Sequence, residues 1–130
     1  MKITVYSLSF GALSALVSVA LGAFAAHGLK SQLSEYQLGI FNIAAEYQMI
    51  HSLALIACGL VSRFYTTRYL QAAVWLFIAG SLLFCGSLYL LALGFKGLGL
   101  ITPLGGFCFM AGWLSLALHA WPRSNNSDKH

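Results

Sequence analysis

The sequence is poor in charge. Only 8% of its 130 residues are Asp, Glu, Lys or Arg, whereas 59% are hydrophobic. A soluble domain carries about 25% charged residues, which cover its surface. Seven basic and three acidic side chains cannot cover a chain of this length, and the runs between them are long enough to cross ~30 Å of hydrocarbon. The composition excludes a soluble domain and predicts an integral membrane protein.

The sequence also lacks the cysteine patterns and basic clusters that mark metal sites and nucleic-acid surfaces. Its three cysteines, Cys58, Cys85 and Cys108, lie in different apolar runs without C-x-x-C spacing. This arrangement argues against a disulfide framework or a zinc site, and we expect the thiols to act as small apolar filler. The basic residues behind the net charge of +4 are scattered, which does not indicate nucleic-acid binding. We predict no metal or cofactor, and the lipid bilayer as the first partner.

Four long apolar runs predict an all-α fold, a polytopic transmembrane four-helix bundle. The spans cover about residues 3–26, 38–62, 69–93 and 102–121 and form a single membrane domain, residues 1–122, followed by a polar tail at 123–130. The sequence Ser34–Gln37 fits a capping box at the start of the second helix. Thr102 can cap the fourth helix with Pro103 at its first position, and Pro122 ends it.

Small residues form stripes that would let neighbouring helices approach closely. In the first span they recur every fourth position at Ser14, Ser18, Gly22 and Ala26. A second set, offset from the first, consists of Ser7, Gly11 and Ala15. In the third span they recur every seventh position, at Ala73, Gly80, Ser87 and Gly94. Gly28 is placed to end the first helix as its C′ residue.

The first span has one alternative interpretation. Lys2, the apolar run and Ala23-Phe24-Ala25 also resemble a signal peptide with an A-x-A cleavage site. The apolar region is longer than such a peptide needs, and its small-residue stripe favours a helix that is retained. We expect this span to stay in the protein, which N-terminal sequencing would test.

Basic residues predict the orientation in the membrane. One side of the bundle would carry five of them and the other side two, which places both termini and the tail in the cytoplasm by the positive-inside rule. The five are Lys2, Arg63, Arg68, Arg123 and Lys129, and the two are Lys30 and Lys96.

Polar side chains collect in the outer half of the predicted bundle, around Ala45–Ser52 of the second span. At about 100° per residue, Tyr47, Gln48 and His51 share one face of this helix, whereas Glu46 points about 140° away from His51. Each face therefore needs partners from another helix, and the other spans carry polar residues at matching depth. The candidate polar cluster comprises His27, Glu46, Tyr47, Gln48, His51, Ser87, Tyr89 and Thr102.

The chemistry of this cluster has two interpretations. His51 can tie helices together through hydrogen bonds, and Glu46 can sit at headgroup level beside Lys30 or Lys96. Ionisable groups inside a membrane are costly, however, so they also mark ion and substrate pathways. No set of nucleophile, base and acid is evident, and we predict no catalytic residues.

Five pieces of the chain form an ordered pattern across nearly its whole length: residues 21–29 (LGAFAAHGL), Glu46-Tyr47-Gln48-x-x-His51, residues 86–89 (GSLY), residues 101–106 (ITPLGG) and Gly112-Trp113. With this pattern the chain resembles the small, uncharacterised YgdD/YwdK-like membrane proteins, although Ala25 stands where members often have glycine. The resemblance implies a four-span protein of the bacterial inner membrane. It implies no reaction.

Two functions are open. The first is a structural or interaction protein of the membrane or of a membrane complex. Such a protein would form a homo-oligomer or bind another membrane protein. The alternative is a proton-linked small-solute transporter or channel, in which Glu46 and His51 bind and release protons. A haem protein is less well supported, because His27 and His51 differ in depth by about 12 Å or more and haem ligation needs facing ligands.

Overall fold

A computed structural model describes residues 1–122 of the chain, and within them it contains helices and no strands. The four long helices are α1 (Lys2–Leu29), α2 (Glu35–Val61), α3 (Arg68–Ala92) and α4 (Ile101–Ala120), and each is long and apolar enough to cross a membrane. The predicted fold class, an all-α transmembrane protein, is confirmed. The predicted polar tail at 123–130 lies outside the described residues.

Local sequence explains where two of the helices begin. Ser34 Oγ accepts a hydrogen bond from the Gln37 N–H at 3.1 Å, and the Ser34 N–H donates to Gln37 Oε1 at 3.0 Å. This is the reciprocal capping box that satisfies two backbone donors of α2. At the start of α3, Thr67 Oγ1 accepts from the Leu70 N–H at 3.2 Å.

Two predicted helix boundaries are wrong. Gly28 does not end α1, because the helix continues through a π-helical turn at Ala25–Leu29, and positive φ angles within residues 1–122 occur at Gly94 and Gly97, in the loop before α4. Thr102 does not cap α4, which starts at Ile101 without a side-chain cap. The Thr102 hydroxyl instead bonds to a neighbouring helix.

The helices pack as two antiparallel pairs, α1 on α2 and α3 on α4, with α2 and α3 in contact between them. The largest fully buried side chains come from these two central helices: Leu55, Cys58, Leu70, Val74, Phe77 and Cys85. Fewer residues of the outer helices α1 and α4 are buried inside the bundle than of α2 and α3. Polar residues on the two central helices, which are buried on several sides, therefore need hydrogen-bond partners within the chain.

The close contact of α1 with α2 uses small residues, but in a different register from the predicted four-residue repeat. Ser7, Gly11, Ser14 and Ser18 are buried, whereas nothing lies within 4 Å of a Cβ added at Gly22 and Ala26 is exposed. A helix turns about 400° in four residues, so a stripe stays on one face only when steps of three and four alternate. In α3 the predicted Ala73, Gly80 and Ser87 are buried, and Gly94 lies beyond the helix.

A π-helical turn at Ser81–Cys85 divides α3 into two parts with different neighbours. The part before this turn packs mainly on α4, and the part after it, Gly86–Ala92, packs mainly on α2. An inserted residue changes the phase of a helix, so the faces before and after a π turn point in different directions. The turn thereby directs Tyr89 towards α2.

Candidate functional site

Gln48 joins three helices in the middle of the molecule. Its Nε2 donates to the backbone oxygen of Ser14 at 3.1 Å and to Ser14 Oγ at 3.2 Å, both on α1. Its Oε1 accepts from the Tyr89 hydroxyl of α3 at 2.6 Å. Both ends of the buried amide are therefore bonded to neighbouring helices, as a polar group inside a membrane protein requires.

Both ring nitrogens of His51 are hydrogen bonded, Nδ1 within α2 and Nε2 to Trp113 of α4. Its Nδ1 lies 2.7 Å from the Tyr47 carbonyl oxygen, and its Nε2 lies 3.1 Å from Trp113 Nε1. An indole N–H can only donate, so Nε2 accepts and the proton of the ring sits on Nδ1, from which it is donated to the carbonyl. The geometry therefore describes a neutral imidazole in a single tautomer.

Aromatic rings enclose this imidazole. The Phe109 ring of α4 stacks on it with centroids 3.5 Å apart and planes 10° apart, and the Phe77 and Trp113 centroids lie 5.6 and 5.7 Å away. Only 3% of the His51 surface is exposed. Beside it, a groove of about 420 Å³ between α2 and α4 is lined mainly by apolar and aromatic side chains, among them Ile50, Phe84 and Met110.

A third link joins α3 to α4. The Ser87 and Thr102 hydroxyls are hydrogen bonded to each other, and Ser87 Oγ donates to the Phe84 carbonyl oxygen at 3.0 Å. Because Ser87 uses its proton on that carbonyl, the Thr102 hydroxyl is the donor between them. Both residues belong to the candidate polar cluster predicted from the sequence.

The structure therefore divides the candidate cluster. It brings Gln48 together with Tyr89, and Ser87 with Thr102, while His51 bonds to Trp113. Tyr47 contributes its carbonyl to His51 and its ring to a contact with Phe84 at 5.0 Å, and its side chain is 41% exposed. His27 and Glu46 are exposed on the helix surface, apart from the buried bonds described above.

Two partners were missed by sequence reasoning, Ser14 and Trp113. Ser14 was interpreted as a small packing residue. Its hydroxyl can, however, donate and accept hydrogen bonds in addition to fitting between helices. The same dual use recurs along the α1–α2 contact, where Ser7 Oγ donates to the Leu55 carbonyl oxygen and Ser18 Oγ donates to that of Ala45 at 2.7 Å. A serine at a small-residue position that faces another helix is the signal that could have identified Ser14 as a partner.

His119 lies at the other end of α4, and sequence reasoning did not place it in the cluster. Its Nδ1 is 2.8 Å from the Thr67 hydroxyl, and its ring stacks on Tyr65 with centroids 4.5 Å apart. The side chain is 6% exposed. His119 therefore holds the end of α4 against the loop that precedes α3.

The buried polar side chains described above take part in hydrogen bonds, most of them between helices. No group of three His, Cys, Asp or Glu side chains in this part of the chain could hold a metal ion. One buried hydroxyl, Ser81 Oγ, has no hydrogen-bond partner within the same residues. It lies in the wall of a cavity between α1 and α3.

Comparison with known proteins places the chain in a family. A family model described as "Protein of unknown function (DUF423)" matches residues 21–106. The chain is similar to UPF0382 membrane protein SAB0533 of Staphylococcus aureus, with 45% identity over 109 residues that cover 83% of this chain and 88% of the relative. It is also similar to UPF0382 membrane protein SH2409 of Staphylococcus haemolyticus, with 46% identity over 83% of this chain and 88% of the relative.

A third relative bears directly on the resemblance found in the sequence. UPF0382 membrane protein YwdK of Bacillus subtilis is 38% identical over 112 residues, covering 85% of this chain and 91% of the relative. The resemblance to YwdK-like membrane proteins is thus confirmed. No solved structure matches the chain. The chain belongs to the DUF423 family of membrane proteins, whose function is unknown.

Proposed function

We propose that this small multi-pass protein is a structural or interaction protein of the bacterial inner membrane or of one of its complexes. The observation that supports this proposal is the direction of the hydrogen bonds made by Gln48 and His51. Their side chains bond to Ser14, Tyr89 and Trp113 on the other three helices. Groups that are used to hold helices together are not available to bind a solute.

The alternative, a proton-linked small-solute transporter or channel, has less support. A proton carrier must gain and release its proton in place, yet Nε2 of His51 already accepts from the Trp113 N–H. Protonation of Nε2 would make it a second N–H donor facing the Trp113 N–H, with no acceptor between them. Glu46, the other ionisable residue of the predicted site, is exposed on the surface of α2.

The orientation belongs to the same proposal. At the end of the bundle where α1 and α3 begin, the described basic residues are Lys2, Arg63 and Arg68. This end is called the basic end below. The opposite end carries Lys30 and Lys96 together with Glu35. The positive-inside rule then puts the basic end in the cytoplasm.

Extraction in a mild detergent, followed by light scattering on the eluted peak, tests the interaction role. We expect a homo-oligomer or a stoichiometric complex with another membrane protein, and chemical cross-linking in intact membranes should trap the same species. A monodisperse monomer that cross-links to nothing in the membrane would contradict the proposal.

Proteoliposomes test the transport alternative separately. We expect wild-type protein and the His51→Ala and Glu46→Gln variants to give the same proton leak as empty liposomes. A proton flux through the wild-type protein that either substitution abolishes would favour transport over a structural role.

A further inference from the structure

The helices α1 and α3 touch very little along their length, and two cavities lie between them. The first, of about 460 Å³, is lined by Lys2 and Tyr6 of α1, Gln71 and Trp75 of α3, and Thr66 of the preceding loop. The second, of about 290 Å³, is lined by Phe10, Leu13 and Val17 of α1 and Leu82 of α3. The cavities follow one another along the same two helices, and together they are called the α1/α3 cleft.

The mouth of the α1/α3 cleft lies at the basic end. Lys2 lines it, and Thr66 and Gln71 add neutral hydrogen-bonding side chains. The two acidic residues of the described chain, Glu35 and Glu46, are both in the half of α2 that lies towards the opposite end. A group entering the mouth therefore meets the positive charge of Lys2, and neither acidic side chain of residues 1–122 lines the cavity.

Two aromatic residues, Tyr6 and Trp75, line the first cavity on the side towards the second, deeper cavity. The Tyr6 and Trp75 rings face each other across the cleft with centroids 6.1 Å apart, and both side chains are about half exposed. Amphipathic rings of this kind favour the headgroup region of a bilayer. From Tyr6 to Val17 the α1 backbone rises about 16 Å, which is close to the ~15 Å of one hydrocarbon leaflet.

The deeper cavity presents a largely apolar wall. Phe10, Leu13, Val17 and Leu82 form most of it. Two polar residues also border it, Ser14 and Gln48, but they are bonded to each other. The Ser81 hydroxyl is the one polar group there without a partner in residues 1–122. A hydrocarbon chain fits such a wall better than a polar solute does.

We propose that the α1/α3 cleft binds one anionic phospholipid from the leaflet at the basic end. The Lys2 ammonium pairs with the phosphate, and Thr66 and Gln71 donate hydrogen bonds to the headgroup. One acyl chain lies over the exposed faces of the Tyr6 and Trp75 rings and against the apolar wall of the second cavity. Basic pockets between transmembrane helices are suited to such lipids, each nearby lysine or arginine contributing a few-fold in affinity. This assigns a ligand that the proposed structural role does not require.

Lipid titration of the full chain in detergent micelles, read by native mass spectrometry, tests the proposal. Phosphatidylglycerol is compared with phosphatidylcholine of the same acyl chains. We expect one retained phosphatidylglycerol per chain, bound at least fivefold more tightly than phosphatidylcholine. Lys2→Gln should weaken the binding of phosphatidylglycerol about fivefold. Raising the salt concentration should reduce the difference in affinity between the two lipids.

A second substitution tests the acyl part of the cleft. Leu82→Trp should fill the deeper cavity and weaken the binding of both lipids several-fold. Trp75→Ala should also weaken the binding of both lipids, because it removes a ring that the acyl chain contacts. The matched controls are Lys96→Gln at the opposite end and Val19→Trp on the exposed face of α1, and neither should change binding. All these side chains are at least partly exposed, and circular dichroism without added lipid verifies folding.

The outcomes separate a specific site from the general lipid shell. Equal retention of both lipids, or retention unaffected by Lys2→Gln and Leu82→Trp, would overturn the proposal. Loss of retention in the Val19→Trp control to the same extent as in Leu82→Trp would overturn it too, since binding would then depend on the whole surface of the helices.

Discussion

At the scale of single residues, the cost of an unpaired polar group in hydrocarbon explains the bonds of Gln48 and His51. Water is absent from the centre of a bilayer, so an unbonded amide or imidazole there would lose several kcal/mol. Both side chains are less than 10% exposed, and each of them is bonded to another helix. Polar residues at these depths therefore stabilise one arrangement of the helices over others.

The bond between Gln48 and Tyr89 can be measured with a double-mutant cycle. Gln48→Leu and Tyr89→Phe should each lower the unfolding free energy. The double variant should lose less unfolding free energy than the two single losses added together, because removing both partners of the bond leaves neither of them unpaired. We expect a coupling of about 0.6 kcal/mol and at most about 1.7 kcal/mol, the range found between transmembrane helices. Unfolding by denaturant in micelles gives the numbers.

Tyr47→Phe provides the control for that cycle. The Tyr47 side chain is 41% exposed, so loss of its hydroxyl should change the unfolding free energy by less than about 0.5 kcal/mol. Strictly additive effects of Gln48→Leu and Tyr89→Phe would mean that the two groups do not interact in the folded protein.

The tautomer of His51 is a second measurable consequence. Nitrogen-15 NMR of the protein labelled at histidine should show His51 with a protonated Nδ1 and an unprotonated Nε2 at neutral pH, because Trp113 donates to the latter. In Trp113→Phe this constraint is lost and the Nε2 resonance should move. An imidazolium, or a proton on Nε2, in the wild-type protein would contradict the assignment.

Ser81 should behave in the opposite way from the bonded serines. Its hydroxyl is buried without a partner in residues 1–122, so Ser81→Ala removes an unsatisfied group and should leave stability unchanged or raise it by up to about 1 kcal/mol. Ser18→Ala, which removes a bond to the Ala45 carbonyl, should lower it. A larger loss in Ser81→Ala than in Ser18→Ala would show that the Ser81 hydroxyl has a partner in the membrane.

At the scale of helices, two of the closest approaches depend on glycine. A Cβ added at Gly11 would lie 2.9 Å from the Ser52 carbonyl oxygen of α2. A Cβ at Gly105 would collide with the backbone of Phe84 on α3. Because these obstacles are backbone atoms, they cannot move aside without shifting a helix. Small residues therefore set the separation within both helix pairs.

The neighbouring glycines Gly105 and Gly106 give a matched test of this point. A Cβ at Gly106 would meet no atom closer than 3.9 Å, which is ordinary contact. Gly105→Ala should therefore destabilise the protein by about 1–3 kcal/mol through overpacking, whereas Gly106→Ala should be neutral or slightly stabilising. Equal effects of the two substitutions on thermal unfolding would argue against the α3–α4 contact described above.

At the scale of the whole molecule, local sequence patterns predicted the helices, but they did not predict which side chains pair between helices. The four spans and the capping box at Ser34 follow from hydropathy and short-range chemistry, and both are present. Depth along each span placed Gln48, Tyr89, Ser87 and Thr102 in one candidate cluster without assigning their pairs, which the hydrogen bonds of the structure supply. The partner of His51 was not found, because depth alone does not say which helix faces which. Trp113 looked like any other apolar residue of α4.

Two physical effects explain the departures from the predicted pattern of small residues. A four-residue repeat drifts around the helix, so Gly22 and Ala26 leave the face that Ser14 and Ser18 occupy. The π turns at Ala25–Leu29 and Ser81–Cys85 change the phase further. Such turns are rare insertions in an α-helix, and regular sequence spacing does not predict where they occur.

The central claim is that the buried polar residues of this family member hold its helices together. The unfolding free energy of His51→Ala, set against that of Glu46→Gln, tests it most directly. We predict that His51→Ala loses about 1–3 kcal/mol, because the Trp113 N–H is left unpaired and the stack on Phe109 is lost. Glu46→Gln should stay within about 0.5 kcal/mol of wild type. Wild-type stability in His51→Ala, or an equal loss in Glu46→Gln, would contradict the claim.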